Sequence, residues 1–153
     1  MILFLDFDGV LHPLLRTEPD FCRIELLWKI LRACPDVDVV FSTSWREIYS
    51  QDELLELVTH GNGREFTHRF VGATPSIFRE KGALIHGPHH RRHIECRLWL
   101  TGNGQYQRPW LAVDDIAVSF PPASPTLHLV DGATGLTESD VAAIIKKIQD
   151  FYI

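Results

Sequence analysis

Asp6 and Asp8 stand two positions apart at the end of an apolar run, Ile2-Leu3-Phe4-Leu5, and Gly9 follows at once. Such a run reads as a strand buried on both faces, the kind found in parallel sheets. Acids at the carboxyl end of a buried strand lie where open α/β sheets hold their ligands. An Asp-Gly turn accounts for one acid and gives no reason for a second. Two more apolar runs end in polar clusters: Val37 to Phe41 in Ser42-Thr43-Ser44, and Trp110 to Val113 in Asp114-Asp115. Carboxylates gathered with hydroxyls suit phosphoryl transfer. One carboxylate can act as nucleophile and split a hard step into two. Another can carry the proton in both halves. Clustered acids that must meet a phosphate call for a divalent cation, and Mg²⁺ suits hard oxygen ligands.

The three clusters meet only if their strands run parallel, because parallel strands share one carboxyl edge. The rest of the chain reads accordingly. Asp20 is a plausible N-cap for a helix to about Cys34, with Ile24, Leu27, Trp28 and Leu31 on one face. A second helix is expected from Arg46 to about His60, closed by Gly61-Asn62-Gly63. Phe70-Val71 reads as a short strand and the stretch from Thr74 to His90 as loop. A third helix is expected over Arg91 to Leu100 and a further strand over Leu127 to Val130. Thr137 and Asp140 have capping-box spacing for a last helix, which buries Val141, Ile144, Ile145 and Ile148. This alternation predicts α/β architecture: a three-layer sandwich with a mainly parallel, Rossmann-like sheet in a single domain over residues 1–153.

Composition narrows the functions. The net charge of −5 offers no global positive field for nucleic acid. Charge is uneven, however: Arg79, Lys81, Arg91, Arg92 and Arg97 face only Glu80 and Glu95 between Arg79 and Arg97. Any polyanion site is expected there. No basic leader precedes an apolar run, and no apolar stretch is long enough for a membrane helix. Cys22, Cys34 and Cys96 lack CxxC spacing and read as reduced thiols in a cytoplasmic protein.

Asp6-Phe7-Asp8-Gly9-Val10 resembles the first motif, D-x-D-G-[VT], of the haloacid dehalogenase (HAD) superfamily of phosphotransferases. The downstream stretches more closely resemble the small HAD-type phosphatase domain associated with bacterial RNA repair proteins, and the resemblance runs to about Leu136. It implies that Asp6 is the nucleophile and Asp8 the general acid/base. It implies Mg²⁺ held by Asp6, the backbone carbonyl of Asp8, and the Asp114/Asp115 pair, with Asp115 favoured for direct coordination and Asp114 in support. Ser42 stands where the family's second motif supplies a hydroxyl to the phosphoryl oxygens, and Thr43 adds its backbone N–H; one of Ser42, Thr43 and Ser44 can instead cap the next helix. Gly9 joins Thr43 at the substrate. Arg46, in Ser44-Trp45-Arg46, looks like a feature of the RNA-repair group and is expected at the substrate, with a helix-surface arginine as the alternative. Matching Arg92-His93-Ile94-Glu95 to the relatives' R-x-x-E gives Arg92 as the phosphate-binding cation, with Arg91 and Lys81 as competitors. Cys96 departs from the isoleucine more typical of the relatives.

Two functional classes fit. One is a Mg²⁺-dependent phosphohydrolase, on which the RNA-repair resemblance suggests a terminal phosphate of a polynucleotide; small metabolites and phosphoproteins stay open. The other is a non-catalytic phosphate-binding or interaction domain. Asp8 favours phosphate-ester hydrolysis, since dehalogenase-type members lack this acid and transport ATPases carry Thr there. The intervals after Asp8 and after Ser44 lack the strands or helices of an independent cap, so the site is expected to be open. His86, His89, His90 and His93 read as a solvated, partly cationic loop rather than a zinc site, because no Cys or carboxylate completes the spacing. His12 either points at the site or decorates the loop.

Overall fold

β1 (Ile2–Leu5) is the middle strand of a five-stranded sheet, hydrogen-bonded on both edges to parallel neighbours. The computed structural model describes residues 1–77 and 90–153. In chain order the elements are β1, α1 (Ile24–Ala33), β2 (Asp38–Phe41), α2 (Gln51–Thr59), β3 (Phe70–Ala73), α3 (Arg91–Gly102), β4 (Trp110–Asp114), β5 (Leu127–Leu129) and α4 (Glu138–Asp150). The sheet order is β3-β2-β1-β4-β5, and every pairing is parallel. The chain builds outward from β1 on one side, then crosses to build on the other. Its topological switch point therefore lies between β1 and β4.

Strand periodicity sorts the two faces. Leu3, Leu5, Val39, Phe41, Leu111 and Val113 join a core completed by Leu27, Trp28 and Leu31 of α1, Leu54 and Val58 of α2, and Val141, Ile144 and Ile148 of α4. Ile2, Phe4, Val40 and Ala112 point the other way, against Cys96, Trp99 and Leu100 of α3 and against Phe120. The three layers are thus helices, sheet and helix. Phe4 meets Trp99 and Trp110 edge-on at 5.9 and 5.6 Å, so Phe4→Ala would cost about 3–5 kcal/mol.

Two helix starts differ from the sequence reading. Asp20 does not cap α1; its carboxylate accepts from Arg16 at 3.2 Å, and the helix begins at Ile24 without a side-chain cap. Ser44–Glu47 forms a separate 3-10 turn instead of opening the second helix. Ser50 takes that role, because Ser50 and Glu53 satisfy each other's backbone N–H groups reciprocally. The capping box read at Thr137 and Asp140 is present. Gly61-Asn62-Gly63, read as a stop and turn, opens a 3-10 stretch over Gly61–Arg69, and Gly63 packs under Trp28. The loop reading over residues 78–89, with Arg79, Lys81, His86 and His89, lies outside the described residues. Among the described residues no helix is long and apolar enough to cross a membrane.

Candidate active site

Register alone brings the three polar clusters together. Leu5 is level with Phe41 and with Val113, so Asp6, Ser42 and Asp114 are level with one another. The ladder continues one step past β1: Asp6 N donates to Val113 O at 3.2 Å, and Ser42 N to Leu5 O at 2.8 Å. Each of the three shares its parity with a residue buried against α3 (Phe4, Val40 and Ala112), so all three face that helix. All are buried.

Arg92, from the first turn of α3, meets them there. Its Nη1 lies 3.6 Å from Asp6 Oδ1 and 3.9 Å from Asp114 Oδ2. Arg91 turns elsewhere, to Glu95 at 2.8 Å and Glu47 at 3.4 Å. One carboxylate oxygen from each of Asp6, Asp114 and Asp115 lies within 4.8 Å of the others. Three acids against one guanidinium leave excess negative charge in a dry place. Burial, reinforced by Asp114, raises the Asp6 carboxyl well above the usual range despite Arg92. Burial likewise pushes Asp114 up to about 6, and it raises Asp115.

Three buried polar atoms of the site are short of hydrogen bonds. Asp115 Oδ1, Arg92 Nη1 and Ser42 Oγ are all buried with no hydrogen bond of good geometry; the Cys96 thiol beside Ser42 is at best a weak partner. Leaving such groups unsatisfied costs about 1–3 kcal/mol apiece, so they imply ligands. An acceptor oxygen among three acids fits a hard divalent cation. A hydroxyl and a guanidinium N–H opposite it fit the oxygens of a phosphate. Asp115 Oδ1 makes no hydrogen bond, whereas Asp114 Oδ1 accepts from Ile116 N at 2.8 Å. The backbone makes room for Asp115. A Cβ on Gly9, where φ is +73°, would come within 2.3 Å of Asp115 Oδ2, and one on Gly132 within 2.7 Å.

Asp8 sits apart from this group, with its side chain about one-third exposed. His12 Nε2 lies 2.8 Å from its Oδ1, Arg16 donates to the same oxygen at 3.0 Å, and Trp45 Nε1 donates to Oδ2 at 3.0 Å. His12 is buried, and its Nδ1 accepts the backbone N–H of Phe21 at 3.2 Å. That bond places the ring proton on Nε2, facing Asp8. Phe21 adopts φ of 62° to make it. Burial raises the Asp8 carboxyl, but the bonds from His12 and Trp45 and the Arg16 charge outweigh it, and the net shift is downward.

Thr43 Oγ1 accepts from Trp45 N at 3.3 Å and so caps the 3-10 turn that carries Trp45. Arg46, expected at the substrate, is committed to the scaffold. It donates to the carbonyls of Thr43, Thr74 and Pro75 and pairs with the fully buried Glu95. His12, Trp45 and Arg16 were the residues hardest to assign from sequence. The signal for His12 was its place four residues after Asp8; nothing in the spacing tied Trp45 or Arg16 to that acid. His90 and His93 join no metal-ligating group among the described residues.

The description "HAD domain in Swiss Army Knife RNA repair proteins" matches residues 2–141. The chain belongs to this family. No curated protein and no solved structure matches it. As a HAD domain it has the five-stranded parallel sheet expected of a HAD-like Rossmann fold, and membership supports a HAD-type hydrolase. HAD proteins generally use Mg²⁺, and this HAD domain has an acidic cluster suited to it.

Proposed function

We propose that this HAD domain is a Mg²⁺-dependent phosphoric monoester hydrolase that works through an aspartyl-phosphate on Asp6. The observation that carries the reading is that three buried atoms beside the buried Asp6, namely Asp115 Oδ1, Arg92 Nη1 and Ser42 Oγ, make no hydrogen bond of good geometry, Arg92 lying only in ion-pair range of the acids. Asp6, Asp115 and the backbone carbonyl of Asp8 would hold the cation, with Asp114 in support. A bound Mg²⁺ would neutralise the clustered carboxylates and polarise the phosphoryl group.

An Asp6 oxygen attacks phosphorus while the bond to the leaving oxygen breaks, and Asp8 gives that oxygen its proton. Asp8, now a carboxylate, takes a proton from water; the hydroxide attacks phosphorus and the bond to Asp6 breaks. Inorganic phosphate leaves and both acids return to their first state. Arg92 and Ser42 donate to the phosphoryl oxygens throughout. Asp8 rests with a lowered pKa, and an arriving phosphate dianion would repel its charge and favour the protonated form that the first step needs. Gly9 gives Asp115 its space, while Thr43 and Arg46 act as positioning residues for the turn that carries Trp45.

The substrate we favour is a terminal phosphate on nucleic acid, as the family's RNA-repair context suggests. Among the described residues, the intervals from Asp8 to Ser42 and from Ser44 to Arg92 hold only elements that join the sheet or pack on its core, and none forms a cap. A site that the described residues leave uncapped admits the end of a large molecule. The unpaired cysteines fit a reducing compartment, the cytoplasm, and two cores sharing one sheet fit a single domain over residues 1–153. The test is a Mg²⁺-supplemented phosphatase screen over 3′- and 5′-phosphorylated oligonucleotides, nucleotides and sugar phosphates, with EDTA controls. Turnover of oligonucleotide ends is the expected result; turnover of none of these esters would overturn the hydrolase reading.

A further inference from the structure

A cavity of about 600 Å³ opens beside Asp8, none of Asp6, Asp114, Asp115 and Arg92 lines it, and the reaction outlined above leaves it unassigned. Asp8, Arg16, Phe21, Trp45, Ile48 and Tyr49 line it. We propose that it is the leaving-group pocket and that it binds the nucleoside carrying the terminal phosphate. The inference deepens the phosphatase reading and rests on it, since Asp8 protonates whatever oxygen departs and the group attached to that oxygen must lie beside Asp8.

The wall is aromatic and runs outward from the acid. Trp45 holds Asp8 through its indole N–H, and Tyr49 lies one ring farther, with centroids 5.9 Å apart and planes inclined by 32°. Phe21 closes the inner edge, 5.4 Å from Trp45. Tyr49 N donates to Trp45 O at 2.9 Å, so the two rings are fixed by the same backbone turn. Ile48, 79% exposed, and Tyr49, 38% exposed, are apolar groups that the core does not use. Sequence reading put them inside a helix and gave them no task.

An aromatic wall with charge at its rim selects the occupant. The Arg16 guanidinium lies 5.5 Å from the Trp45 ring centre and bridges Asp8 and Asp20. A purely aliphatic group would gain nothing from these ions. A planar heterocycle with polar edges can stack on the rings and hydrogen-bond at the rim. A phenol bonded directly to the phosphate would end beside Trp45. The second ring, Tyr49, is placed for a base held out from the ester oxygen by a ribose.

The experiment has a kinetic and a binding arm. In the first, kcat/KM is compared for nucleoside monophosphates, glycerol phosphate and a phosphotyrosine peptide, in the intact chain and in Tyr49→Ala. Nucleoside esters should exceed glycerol phosphate, and Tyr49→Ala should reduce that ratio by about tenfold. No preference for the base, a ratio untouched by Tyr49→Ala, or the phosphotyrosine peptide as the best substrate would overturn the proposal while leaving phosphatase activity standing. The second arm needs no turnover. Adenosine at millimolar concentration is titrated into the intact chain and followed by NMR, with Tyr49→Ala alongside. Saturable shifts at Trp45 that weaken in the variant support the pocket even if no ester is cleaved. Their absence rejects it.

Discussion

The indole Nε1 of Trp45 donates to Asp8 Oδ2 at 3.0 Å, across 37 positions of sequence. With His12 on the other oxygen, it fixes the direction of an acid that is otherwise open to solvent. Trp45→Phe keeps a ring in the wall and removes the donor. We expect kcat to fall about tenfold, since a charge-assisted bond is worth roughly 1.5–3 kcal/mol and only part of it acts on the reacting geometry. Steady-state kinetics with unchanged kcat would remove Trp45 from any positioning role.

Asp6→Asn should end turnover and leave the fold intact. It should also raise Tm in EDTA, because burial and the neighbouring Asp114 already disfavour the Asp6 charge at neutral pH. Calorimetry and a phosphatase assay on one preparation check both. A variant that keeps its activity contradicts the covalent route.

Mg²⁺ should raise Tm in the native protein and restore activity lost to EDTA. Asp115→Asn should remove most of that rise in Tm, and Asp114→Asn less of it, since Asp114 Oδ1 is held by Ile116 N. Rescue by Zn²⁺ and not by Mg²⁺ would contradict the hard-oxygen site.

Gly9→Ala combines a positive φ with a Cβ that collides with Asp115 Oδ2. The expected loss is at least about 1 kcal/mol of stability, together with weaker metal-induced stabilisation. Denaturant unfolding with and without Mg²⁺ separates the two effects.

Asp140 gives a pH-dependent prediction. Burial raises its carboxyl, but hydrogen bonds from His128 and Thr137 outweigh that and hold it below the ordinary 3.8. In the window below 3.8 the unfolded chain binds more protons than the folded one, so stability falls as pH falls through the folded value. The Tm difference between native protein and Asp140→Asn should therefore shrink as pH drops below about 3.8. A constant difference would show that the His128 bond does not bear on stability.

The strands and the acids at their ends were legible because buried parallel strands are continuous apolar runs and their carboxyl ends share an edge. Thr137 was legible because a capping box is local. The start of α2 was not: the helix was read from Arg46, but Thr43 captures a 3-10 turn and Ser50 begins a new helix. Arg46 was hard to place for a different reason. Its partner Glu95 lies 49 positions away and is buried only once α3 docks. The pocket beside Asp8 is assembled from the segment after β1, the turn after β2 and Leu57 of α2, and no periodicity announces that.

The central place of β1 has a kinetic consequence. Its Asp6 edge is complete only when β4 arrives, about a hundred residues along the chain. Non-local parallel pairing of this kind makes folding slow, since loop closure must precede any reward. Until then Ile2-Leu3-Phe4-Leu5 presents an open, apolar strand edge that any other extended chain can join. On a ribosome adding about 5–20 residues per second, that exposure lasts roughly 5–20 s. The arrangement that gathers the three clustered carboxylates therefore also leaves a newly made chain open to aggregation until β4 is in place.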